Sequence, residues 1–139
     1  MSAERLFLDT VYIQALLNSA DKYHACALRL RPRVKEAREV WITEAVLLEV
    51  GAAFSTGQRT LATRFIRSLY VTPNVRIVPL DSRLFQQGIN LYEQRPDKIW
   101  SLTDCISFIV MQEQSIRDAV TADEHFVQAG YRALLRESV

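Results

Sequence analysis

Cysteine, histidine, glycine and proline are all scarce in this chain of 139 residues, and each shortage closes off a class of protein. Cys26 and Cys105 lie far apart with no C-x-x-C partner, and His24 and His125 are equally isolated. Neither a disulfide framework nor a zinc site is expected from such spacing. Four glycines, at 51, 57, 88 and 130, are too scattered to build a phosphate-cradling loop, and four prolines leave no extended or repetitive tract. No segment approaches 18 uninterrupted apolar residues, and Met1-Ser2-Ala3-Glu4-Arg5 breaks into charge at once instead of forming a signal-peptide core. The expectation is a soluble, cytoplasmic protein with no membrane contact.

What is present is the composition of an ordered domain: 49% hydrophobic and 24% charged residues. At this length one domain, residues 1–139, buries a core without covalent staples. Arg5-Leu6-Phe7-Leu8 reads as a buried strand ending at Asp9-Thr10, followed by a helix through Val11, Ile13 and Leu17 to Asn18. Residues 21–38 carry Arg29, Arg31, Arg33, Lys35 and Arg38, with Pro32 predicting a kink or a break between two short helices in place of one long one. Those five charges read first as a solvated face. Val40-Trp41-Ile42 is a second strand, and Thr43 caps a helix from Glu44 to Phe54. Further elements are a helix over Thr60–Tyr70, a strand over Val75–Leu80, a helix capped by Asp81 or Ser82 and running to Glu93, and a largely apolar helix over Ser101–Gln114. The chain closes with a strand at Ala119-Val120-Thr121, a helix from Glu124 to Gly130, and a last strand over Arg132–Leu135. Strands alternating with helices predict an α/β fold, a three-layer α/β/α sandwich around a mostly parallel sheet.

Four acids stand out against this frame. Asp9 follows the first strand, as a helix cap or as a ligand at the carboxyl edge where open α/β sheets bind. Glu49 sits in an apolar helix with no basic residue one turn away. Asp104 completes a Ser101-x-x-Asp104 capping box at the start of a buried helix, so that it serves as a cap, a ligand, or both. Asp123 follows the late strand. Gathered together, these carboxylates would repel unless a cation neutralised them, and oxygen ligands without His or Cys favour Mg²⁺ or Mn²⁺. The matching chemistry is metal-assisted phosphodiester hydrolysis. Net charge is +1; setting these four aside leaves 12 acids against 17 bases, a surplus of five that suits a phosphate-bearing partner.

Leu6-Phe7-Leu8-Asp9-Thr10, Thr43-Glu44-Ala45-Val46-Leu47-Leu48-Glu49, Ser101-Leu102-Thr103-Asp104-Cys105 and Thr121-Ala122-Asp123-Glu124-His125-Phe126 resemble, in order and spacing, the four motifs of the PIN domain, particularly the VapC-type ribonuclease toxins. The resemblance spans essentially the whole chain. It implies an endoribonuclease cutting single-stranded or loop RNA, with Asp9, Glu49, Asp104 and Asp123 as catalytic metal-binding acids and Thr10 and Thr121 as orienting hydroxyls. Glu124, next to Asp123, is the alternative at the fourth position. The resemblance further implies a homodimer and a cognate antitoxin protein.

Rival chemistries lack their residues. A receiver-type site wants a lysine after a late strand, and Lys22, Lys35 and Lys98 lie elsewhere; a D-x-D phosphatase motif meets Val11 at its second acid. The remaining alternative is a catalytically silent PIN-like module that binds RNA or protein.

Overall fold

Leu6, Phe7 and Leu8 are consecutive in strand β1 (Arg5–Leu8), and all are at most 1% exposed. Successive strand side chains point to opposite faces, so burial of all three requires cover on both sides of the sheet. The computed structural model, which describes residues 2–137, supplies that cover with helices on either face. Around β1 lie α1 (Thr10–Leu17), α2 (His24–Glu36), β2 (Glu39–Thr43), α3 (Glu44–Ala53), α4 (Arg59–Tyr70), β3 (Val75–Val78), α5 (Ser82–Gln94), α6 (Leu102–Glu113), β4 (Asp118–Val120), α7 (Glu124–Gln128), β5 (Arg132–Ala133) and α8 (Leu134–Glu137).

The five strands form one parallel sheet in the order β3-β2-β1-β4-β5, with Phe7 opposite Trp41 on one side and Ala119 on the other. Chain direction across the sheet reverses between β1 and β4. Open α/β sheets bind ligands beyond the carboxyl ends of the strands at such a switch point, and Asp9 and the 121–123 turn follow the ends of those two strands.

Caps fix where the helices begin. Asp9 accepts from the Val11 N–H, Thr43 from Val46, Asp81 from Leu84, and Ser101 and Asp104 form the expected reciprocal capping box. Gly88 brings α5 against α6: a Cβ there would lie 2.6 Å from Ile106 Cγ1, a distance no real side chain tolerates. Gly130, at φ +98°, lets the chain turn out of α7 toward β5.

Two expectations are corrected. Residues 24–36 form one helix with Pro32 inside it. Pro32 and Leu28, whose carbonyl loses its intrahelical partner, both lie on the exposed side of α2, where a missing helix bond is tolerated without a break. The last strand ends at Ala133, because Leu134 and Leu135 turn into a helical segment whose side chains are buried. Among the described residues no helix is long and apolar enough to cross a membrane.

Candidate metal centre

Asp9 leaves β1 directly into the first turn of α1 and is 4% exposed. Its Oδ2 accepts the Thr121 hydroxyl at 2.8 Å and the Val11 N–H at 3.4 Å. Burial pushes its carboxyl up to about 7; the Thr121 hydrogen bond opposes the rise, and the charges of Asp104 and Asp123 add to it. The three acids therefore share one field, although they come from three distant stretches of chain.

Thr121 ties two of them. Its hydroxyl donates to Asp9 and accepts the Asp123 N–H at 3.0 Å, so a single buried side chain sets the spacing between the β1 and β4 ends. The turn is held from behind by the Leu135 N–H on the Thr121 carbonyl at 3.0 Å and by Arg136 Nη1 on the Ala122 carbonyl at 3.2 Å. Asp123 then caps α7 through the His125 N–H at 2.9 Å.

Asp104 enters from α6. Its Oδ2 accepts the Ser101 N–H at 3.1 Å and lies 2.9 Å from His125 Nδ1. Its carboxyl is raised, chiefly by burial; the Ser101 N–H and the His125 contact pull the other way, and the Asp123 charge adds to the rise. Aromatic packing fixes α7 against α6: Phe126 is fully buried, with its ring 4.9 Å from Phe108 in edge-to-face contact, an arrangement contributing roughly 1 kcal/mol beyond area burial. Ligand atoms of Asp104, Asp123 and His125 all fall within 4.8 Å of one another.

Glu49 lies on the exposed side of α3, where its Oε1 accepts the Thr10 hydroxyl at 3.0 Å. It is linked to the cluster through the residue after Asp9 and does not belong to the tight group. Glu124 is exposed and outside that group as well, so of the adjacent pair it is Asp123 that meets Asp104. His125 is the member that spacing could not supply. Its signal was its place inside the fourth motif, but its partner is 21 residues away on another helix.

A pattern runs through all four acids. Asp9, Asp104, Asp123 and Glu49 each have one oxygen engaged by a hydroxyl, amide or ring N–H, and among the described residues their other oxygens have no hydrogen-bond partner. Carboxylates held by one oxygen and open at the other are a donor set for a hard cation with oxygen preference. Cys105 contributes no thiolate, since burial and then the neighbouring Asp104 charge push its thiol up to about 11. The residues fit a divalent ion of the Mg²⁺ or Mn²⁺ type.

Residues 6–130 match the PIN domain. The chain belongs to that family. Among solved structures, VapC20 of Mycobacterium tuberculosis, described as a Sarcin-Ricin loop cleaving toxin, superposes with a TM-score of 0.81 at 25% identity, over 91% of this chain and 95% of that one. VapBC2 from Rickettsia felis, bound to a DNA fragment from its promoter, superposes at 0.63 with 13% identity over 93% of this chain and 96% of that one, a likeness of fold. No curated protein matches by sequence. The matched residues include most of the parallel sheet and all four acids, Asp9, Glu49, Asp104 and Asp123.

Proposed function

We propose that this PIN-domain protein is a divalent-metal-dependent endoribonuclease that hydrolyses phosphodiester bonds in single-stranded or loop RNA, as the toxin of a toxin–antitoxin pair. One observation carries the reading: the acids at the switch point face one another without any Lys or Arg among the described residues to pair with them. A cation and a phosphate would complete such a site.

Asp9, Asp104 and Asp123 would hold the ion, with Glu49 at the rim, and Thr121 and Thr10 orienting Asp9 and Glu49 by the hydrogen bonds described above. Bound there, Mg²⁺ or Mn²⁺ supplies a polarised phosphoryl oxygen and a water of lowered pKa. The chain's own contribution is rigidity. Asp9 is fixed by the β1 end and Thr121, Asp104 by its capping box, and Asp123 by the α7 cap, so the carboxylates need little reorganisation when RNA arrives.

Loop RNA is the substrate class favoured by the 25% identical neighbour, described as cleaving the Sarcin-Ricin loop. Partners in this reading are RNA, an antitoxin protein and a second copy of the chain, with the cytoplasm as the place of action. Leu48, Tyr70 and Val71, 67%, 54% and 81% exposed on and beside α3 and α4, offer apolar surface to a protein partner. Purified protein incubated with a Sarcin-Ricin loop oligonucleotide and with unstructured RNA should cleave at least one of them with Mg²⁺ or Mn²⁺ and stop on adding EDTA. Cleavage indifferent to EDTA would contradict the metal reading; metal binding with no cleavage of any RNA would favour the silent module.

A further inference from the structure

We propose that His125 is a positioning residue: its ring Nδ1–H holds Asp104 while its backbone N–H holds Asp123, so that the two acids stay in register and one oxygen of each is left open for the cation. The inference rests on the metal reading above and assigns a role to a side chain outside the four acids.

The geometry singles it out. His125 Nδ1 lies 2.9 Å from Asp104 Oδ2 and 3.4 Å from Asp123 Oδ1, and the ring side chain is 18% exposed. No other side-chain N–H among the described residues reaches either acid. An ionised carboxylate only accepts hydrogen bonds, so Nδ1 carries the proton, and it does so both in the neutral Nδ1–H tautomer and in the imidazolium. The orienting bond is the same in either state.

The need for it is equally specific. Asp104 and Asp123 arrive from α6 and from the turn before α7, and two carboxylates this close repel. Backbone amides pin each acid to its own helix cap, the Ser101 N–H on Asp104 and the His125 N–H on Asp123, but neither amide connects the two. The imidazole does, by holding Asp104 from the residue whose own N–H holds Asp123. Phe126, buried against Phe108, fixes the start of α7 and with it the ring's position. An arginine here would bring an obligatory positive charge to the point where the cation belongs, whereas an imidazole orients with a single N–H.

Mn²⁺ binding measured by electron paramagnetic resonance on EDTA-stripped, RNA-free protein tests the assignment without reference to activity. His125→Ala should bind Mn²⁺ at least about tenfold more weakly than wild type, the usual scale for losing a residue that orients metal ligands. His125→Asn places an amide N–H where Nδ1 was and should recover most of that affinity. Melting in EDTA establishes that both variants are folded. Wild-type affinity in His125→Ala overturns the positioning role while leaving the metal centre standing, and so does an Asn variant as weak as Ala. Wild-type protein that binds no Mn²⁺ removes the metal reading itself, and this inference with it.

Discussion

The two ends of the one sheet treat acidic residues in opposite ways. At the amino ends of the strands every carboxylate of the set meets an arginine: Glu39 with Arg5 at 2.8 Å, Glu4 with Arg33 at 2.6 Å, and Asp118 with Arg132 at 3.5 Å. The hydrogen bonds from Arg33 and Arg5 hold Glu4 and Glu39 below the ordinary carboxylate range. At the carboxyl ends Asp9 and Asp104 are raised instead, mainly by burial, and among the described residues the one basic side chain beside Asp104 and Asp123 is an imidazole. Acids at the first end are neutralised within the chain, Glu39 and Asp118 joining neighbouring strands and Glu4 reaching helix α2. Those at the second are buried at a cost that folding alone does not require.

Asp9→Asn should break this contrast most sharply. The Asp9 carboxyl is raised from 3.8 to about 7 in the folded protein, so between those values the native state holds a proton that the unfolded chain has lost. Stability therefore falls as pH rises from about 4 to about 7 and levels off above. Removing the charge should stabilise the metal-free protein at pH 7.5 by about 4 kcal/mol, shrinking toward nothing at pH 4, while RNA cleavage drops on the order of a thousandfold. Denaturant melts at the two pH values, run beside a cleavage assay, decide it; a destabilised variant at neutral pH would make Asp9 an ordinary structural cap.

Asp104→Asn should repeat the pattern on a smaller scale. The amide oxygen still accepts from Ser101 and His125, so the EDTA-treated variant should be at least as stable as wild type and inactive. A loss of about 1 kcal/mol with activity retained would mean that the capping box is its whole role.

Glu39→Gln, at the opposite end, should have the reverse sign and the smallest effect. A carboxyl lowered on folding contributes stability that is present above its ordinary value of 4.5 and disappears as pH falls through the folded value. Since the Arg5–Glu39 pair is partly exposed, at 30% and 19%, the loss at pH 7 should stay below about 1 kcal/mol, fade in acid and leave cleavage unchanged. Equal activity losses at both ends would erase the distinction.

Sequence exposed much of this because much of it is local. A run of apolar residues ending in Asp9, the Thr43 cap before α3 and the Ser101–Asp104 box are each written within a few positions, and the order of strands and helices specifies a parallel sheet. What stayed hidden depends on contacts across the fold. His125 looks isolated until α7 is laid on α6 by Phe126 and Phe108. Pro32 looks like a break until its turn of α2 is seen to face water, and Leu135 looks like a strand residue until the Thr121 carbonyl offers its N–H a partner. Glu49 shows the limit from the other side: its apolar neighbours in sequence do not say which way it points, and α3 presents it to solvent with its Oε1 on the Thr10 hydroxyl.

The central claim is that the unpaired acids at the carboxyl edge are a cation site, and thermal melting at pH 7.5 in Mn²⁺ and in EDTA tests it most directly. With Mn²⁺ a hundredfold above its Kd, linkage predicts about 2.7 kcal/mol of added stability and a rise of about 10 °C in Tm for the wild type, and little or none for Asp9→Asn. No rise in the wild type, or an equal rise in both, would contradict the account.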